Sequence, residues 1–238
     1  MAEPGAGALL LLFDIDGTLL GRAAGAHSDA LHAALHDVHG VDASHARGRI
    51  DPAGRTDGEI ARLLLLNAGV PAETIDERAG AVREASTRIY AELCPPSLAD
   101  TVLPGVVELL DWCSGLESVR LSLVTGNFEP IARIKLKAAG IGHYFPAGQG
   151  GFGSDSEDRA ALPPRARRRA GQAGVSFPRA QTIVIGDTPR DIACARADDV
   201  RCVAVTTGPH GAEELAAADA VATDAQDLRR VLVSLLNA

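Results

Sequence analysis

The stretch LLLLFDIDGTLL, Leu9 to Leu20, sets an unbroken apolar run directly before two carboxylates, Asp14 and Asp16, one residue apart. A run this short, continuous rather than alternating, reads as a strand from Ala8 to Phe13 buried on both faces, as in the centre of a parallel sheet. Burying a carboxylate costs several kcal/mol unless something compensates. Acids at the end of such a strand therefore mark an opening to solvent, a metal or a catalytic centre. In extended chain the two side chains project to the same side, because strand periodicity is two.

Working outward, the character changes between Arg22 and Ala99. SDALHAALHDVHG, DGEIARLLLLNAG and PAETIDERAGAVREASTRIYAEL show helical spacing and capping residues and no strand pattern. An all-helical insert over residues 22–99 is expected, bounded by hinges around Gly21 to Gly25 and in the proline-paired CPPSLAD, Cys94 to Asp100. Residues 1–21 and 100–238 then form the main body. Past residue 100, helices and strands alternate. A helix is expected from Gly105 to Gly115, a strand in VRLSLVTG, a helix from Glu129 to Ala139 and an irregular glycine-rich segment around PAGQGGFGSD. There follow a helix from Pro163 to Ala173, the strand TIVIGD, the helix DIACARA, the strand VRCVAVTTG, a short helix after His210, the strand ADAVA and a final helix from Asp224 to Leu236. This is the pattern of an α/β fold with a mostly parallel sheet and right-handed crossovers.

Composition narrows the function. The 238 residues are 46% hydrophobic but only 3% aromatic, so the core is aliphatic, as suits parallel strands packed under helices. A net charge of −8 argues against a nucleic-acid partner or an anionic membrane surface. The one basic cluster, Arg165 to Ala170, reads as a solvated helix face. The first apolar run is too short for a signal peptide or a membrane span. Cys94, Cys113, Cys194 and Cys202 form no CxxC pair and read as buried free thiols in a reducing, cytoplasmic setting. His27, His32, His36, His39 and His45 read as an exposed helix face; His32 and His36 have metal-ligand spacing but no accompanying motif. The sequence carries no signal for oligomeric state.

Ligands of parallel sheets bind beyond the carboxyl ends of the strands. Three apolar strands here end in polar clusters: LLLLFD then IDGT, LSLV then TGN, and IVI then GDTPRD. If Asp14, Asp16, Asp187 and Asp191 meet at that edge, they cannot all stay ionised without a cation. Oxygen-only donors point to Mg²⁺. Gly17 permits a sharp turn that brings N–H groups to an anion. Thr125 and Asn127, either side of Gly126, offer a hydroxyl and an amide to phosphate oxygens. A positive side chain must complete the site. In the insert, the loop GRTDG from Gly54 to Gly58 offers Arg55 to a substrate carboxylate or second phosphate and Asp57 as a helix cap, or is simply a solvent-facing turn.

Asp14-Ile15-Asp16-Gly17-Thr18, Thr125-Gly126-Asn127 and Gly186-Asp187-Thr188-Pro189-Arg190-Asp191 resemble, in order and spacing, the motifs of the haloacid dehalogenase superfamily. The likeness is greatest to its phosphoglycolate phosphatase-like members, with a Rossmann-like core and a helical cap of the first type. It implies Asp14 as nucleophile and metal ligand, Asp16 as general acid/base and metal ligand through its carbonyl, and Thr125 with Gly17, Gly126 and Asn127 around the phosphoryl group. Asp187 would bind Mg²⁺ and Asp191 would support its water shell. The family's third motif usually offers Lys, yet the only lysines are Lys135 and Lys137, in the helix after the second cluster. Arg159 is the expected substitute and Arg165 the fallback. The resemblance implies a Mg²⁺-dependent phosphatase acting on a small phosphate ester through an aspartyl-phosphate. A β-phosphoglucomutase-like phosphomutase is the near alternative. A receiver-like phospho-acceptor or a catalytically inactive binding protein is the alternative of another class.

Overall fold

A computed structural model describes residues 8–21, 25–43 and 50–236. His45 and the Arg22–Ala24 part of the expected hinge lie outside them. The strand that opens the chain, β1 (Leu9–Phe13), runs at the middle of a six-stranded sheet. It pairs in parallel with β2 (Val119–Thr125) on one side and β4 (Thr182–Gly186) on the other. Beyond β2 lies β3 (Gly151–Phe152); beyond β4 lie β5 (Arg201–Val205) and β6 (Ala220–Ala222), all parallel. Alternate β1 residues feed opposite cores: Leu9, Leu11 and Phe13 pack on one face, Leu10 and Leu12 on the other. Both faces are covered, which is why the run is apolar without alternation.

One face carries α4 (Val106–Ser114), α5 (Glu129–Ala138) and α8 (Ala225–Leu236). The other carries α6 (Leu162–Ala170) and α7 (Pro189–Ala197). Between β1 and β2 the chain makes α1 (Gly25–His39), α2 (Asp57–Asn67) and α3 (Ala72–Leu93). These inserted helices have a separate aliphatic core, closed against the main body by Phe128 and Ile131 beside and on α5. No helix among the described residues is long and apolar enough to cross a membrane.

Four expectations are corrected. The glycine-rich segment contains β3, whose two residues pair with Val124 and Thr125 at the sheet edge. After His210 there are turns in place of a helix: the Glu214 and Leu215 N–H groups share the Gly211 carbonyl, and Ala216 and Ala218 bond to Glu213 and Leu215 in further three-residue turns. In the basic cluster Arg165 and Arg168 are exposed, but Arg167 is buried. Its guanidinium donates to both Asp198 oxygens at 2.6 and 2.9 Å and to the Phe177 carbonyl at 2.6 Å, so α6 turns one arginine inward where a carboxylate satisfies it. All four cysteines are free and three are buried, but Cys94, at the end of α3, is partly exposed.

Candidate active site

The carboxyl ends of β1, β2 and β4 meet along one edge of the sheet, where the chain leaves each strand in a tight polar turn. After β1, the N–H groups of Thr18, Leu19 and Leu20 all turn back to the Ile15 carbonyl. Gly17 makes this possible with φ of +88°, and a Cβ there would stand 2.2 Å from Asp187 Oδ2. After β4, Thr188 caps α7 and forms a reciprocal capping box with Asp191, which fixes the Asp191 carboxylate beneath the strand ends. Thr18, part of the first motif but given no role by the sequence, donates through Oγ1 to Asp187 Oδ1 at 3.0 Å.

Asp14, Asp187 and Asp191 each bring an oxygen within 4.8 Å of the others, the one such cluster of acid, histidine or cysteine side chains among the described residues. Arg159 lies against them, with Nη2 bonded to Asp191 Oδ1 and 3.3 Å from Asp14 Oδ1. It sits in a single helical turn before α6, capped by Asp158. Arg165 faces solvent on α6 and takes no part. Thr125, at the end of β2, is fully buried beside Asn127. Two buried polar atoms at the site have no protein partner: Arg159 Nε and Asn127 Oδ1.

Asp16 does not join the cluster. Its carboxylate accepts from Lys135 Nζ at 2.8 and 2.7 Å and from Asn127 Nδ2 at 2.9 Å. Lys135 is the residue at the site that sequence reasoning passed over. The signal was present, because Ile131, Ala132, Lys135 and Leu136 form the buried face of α5, whereas Lys137 lies off that face. A lysine on an apolar stripe needs a buried partner.

The inserted helices reach over this edge. Arg55 lines a cavity of about 270 Å³ with Asp14, Asp16, His27 and Asn127, but its guanidinium is bonded to Glu59 and to the Asp51 carbonyl. Thr56, and not Asp57, caps α2. Asp57 instead accepts from the Phe128 N–H at 2.7 Å and from His27 at 3.0 Å, and its own N–H donates to the Gly126 carbonyl at 2.8 Å. Gly126 tolerates this approach because it has no side chain; a Cβ would stand 2.0 Å from the Arg55 carbonyl. The exposed face expected of the α1 histidines is corrected: only His36 is exposed, His32 and His39 are half-buried, and His27 turns toward the core.

The electrostatics separate the acids. Burial raises Asp14 to about 6 against the pull of Arg159, with Asp191 and Asp16 adding to the rise. Burial together with Asp14 and Asp191 raises Asp187 to about 8. Loss of water would raise Asp16 too, but the Lys135 charge and the bonds from Lys135 and Asn127 outweigh it and hold this carboxyl below its ordinary value. Acids forced up by burial and by one another are a donor set that a hard divalent cation relieves.

Three parallel strand ends, a carboxylate cluster and a buried arginine beneath inserted helices define a haloacid dehalogenase fold and site. The chain belongs to the haloacid dehalogenase-like hydrolases, whose family model matches residues 11–196. It is 30% identical over 213 residues to IndB of Dickeya dadantii, named a probable phosphatase, covering 88% of this chain and 86% of that one. It is 29% identical to phosphoglycolate phosphatase 1 of Pseudomonas aeruginosa, covering 84% and 70%. Among solved structures, β-phosphoglucomutase from Clostridium difficile superposes with a TM-score of 0.65 at 16% identity, covering 96% of each chain.

Proposed function

We propose that this chain is a Mg²⁺-dependent phosphatase that hydrolyses a small phosphorylated metabolite through an aspartyl-phosphate on Asp14. The observation that carries this reading is the Asp14–Asp187–Asp191 cluster, with Arg159 against it and the Arg159 Nε donor left without a protein partner. The names of the relatives support the reaction class. Residues 22–99 are the cap, which excludes water and admits the substrate, and the core is formed by residues 1–21 and 100–238. Free thiols support a cytoplasmic location.

Asp14 and Asp187, with the Asp16 carbonyl, would hold the cation, and Asp191 would support its water shell. The bound ion would supply positive charge against the phosphoryl oxygens. Asp14, beside Arg159, attacks phosphorus, and Asp16, whose carboxylate lines the cavity, passes a proton from solvent to the leaving oxygen. Asp16, again a carboxylate, removes a proton from water, which attacks the aspartyl-phosphate to release inorganic phosphate and restore Asp14. Arg159 Nε and the Thr125 hydroxyl donate to the phosphoryl oxygens, with Gly17, Gly126 and Asn127 around them. Arg55 faces the leaving group. Arg is a planar fork and Lys a point charge, so Arg159→Lys does not simply restore the family's usual arrangement.

The test is a panel of phosphorylated metabolites and an aryl phosphate, assayed with and without Mg²⁺ and scored for both phosphate release and isomer formation. Metal-dependent phosphate release, lost in Asp14→Asn, is the expected result. Isomer formation would assign a phosphomutase. A stable phospho-form without turnover would assign a signalling acceptor.

A further inference from the structure

We propose that Lys135 is a positioning residue for Asp16, and that His27 and Asp57 complete its setting when the inserted helices close on the core. The inference rests on the phosphatase reading above, since it assigns a role relative to Asp16 as general acid/base.

An ammonium group has three donors and no acceptor. Here two of them go to the two Asp16 oxygens, and the third points at His27 Nδ1, 3.0 Å away. His27 Nδ1 must therefore accept, which places the ring proton on Nε2, where it donates to Asp57 Oδ2 at 3.0 Å. The same Asp57 oxygen receives the Phe128 N–H, the residue just before the helix that carries Lys135. The path leaves the core at Lys135, crosses α1 and α2, and returns to the core at Phe128. Tyr90 on α3 packs edge-on against the His27 ring at 5.6 Å and fixes its plane.

Stability alone does not explain a charge at position 135. Its neighbours on the buried face of α5 are apolar, and a buried ion pair is commonly no better than well-packed hydrophobic residues of the same volume. Lys135 has no exposed surface, whereas about a third of the Asp16 side chain, 32%, remains open toward the cavity. The amine cannot reach a ligand and acts only through the carboxylate that it holds from behind. Without that hold, two side-chain torsions would let Asp16 swing from the place where it meets the leaving oxygen. Catalysis depends steeply on such placement.

The experiment is a double-mutant cycle on the full chain with Mg²⁺, comparing phenyl phosphate with p-nitrophenyl phosphate, whose leaving group needs less protonation. Lys135→Met should lower kcat on phenyl phosphate by about 10²-fold, less on the nitrophenyl ester, with KM little changed. In an Asp16→Asn background the same substitution should cost almost nothing, because residues acting as a unit are not additive. Equal losses on both esters, or losses that multiply in the double variant, would overturn the proposal. Should Lys135→Met fail to fold by circular dichroism, His27→Asn carries the test. It is expected to lose about tenfold with the same leaving-group bias and to lose nothing further once Asp16 is Asn. Persistence of the His27→Asn loss in that background overturns the proposal as well. Absence of any Asp14-dependent turnover in the unmodified chain would instead bring down the phosphatase reading, and this inference with it.

Discussion

Asp14 and Asp16 leave the same strand end two residues apart, yet they enter opposite surroundings. On one side Asp14 meets Asp187 and Asp191 with a single buried guanidinium among them, and negative charge is in excess. On the other side Asp16 meets a buried ammonium and an amide, and its charge is matched. The first side leaves negative charge in excess; the second is balanced as the chain folds. In the phosphatase reading a cation on the first side would keep Asp14 ionised as nucleophile, while Asp16, open to the cavity, exchanges a proton.

The largest effect should come from the charge-rich side. Asp14→Asn keeps the shape but removes the nucleophile, and turnover of an aryl phosphate should fall by about 10⁴-fold or more. Retention of more than a trace would show that water is activated without a covalent step. Asp16→Ala should cost about 10²-fold or more in kcat while Mg²⁺ still binds, as followed by calorimetry. If Asp16→Ala abolished Mg²⁺ binding, the two sides would not be separable. Gly126→Ala touches neither acid and only obstructs the approach of the Arg55 carbonyl. Overpacking there should cost about tenfold in kcat/KM, with a more open particle by small-angle scattering.

The legibility of the two sides differs in the same way. The charge-rich side is built from residues that terminate strands, so an apolar run followed by acids marks each member, and the parallel topology brings Asp14, Asp187 and Asp191 together. Arg159 was reachable because it follows the glycine-rich segment and precedes the Pro-Pro that opens α6, as the family's usual lysine precedes its prolines. The charge-matched side is assembled from the middle of α5, the start of α1 and the start of α2, where no turn or strand end draws attention. Lys135 is marked only by its place on an apolar helical stripe, and His27 only by which way α1 turns. The helix expected after His210 failed for a related reason: its composition suits a helix, but Pro209 and the turn at Gly211 lead into separate turns that bury Leu215.

The smallest effect is a contrast in stability against pH with the metal removed by a chelator. Asp187 and Asp14 titrate at about 8 and about 6 in the folded chain, above an ordinary carboxyl near 4. Between those values the folded state holds protons that the unfolded state has released, so stability falls as pH rises toward 8. Asp16 is held low, so its contribution is present above the ordinary value and is lost as pH falls through its folded value. The apoprotein should therefore melt at a lower temperature at pH 8.5 than at pH 6, measured by circular dichroism, and Mg²⁺ should restore the loss. Asp187→Asn should flatten the alkaline side and leave the acid side unchanged, because the neutral amide removes the titration at one cluster and does not touch the Lys135 pair. A flat alkaline side in the unmodified apoprotein would mean that the Asp14 cluster is better compensated by Arg159 than its geometry indicates.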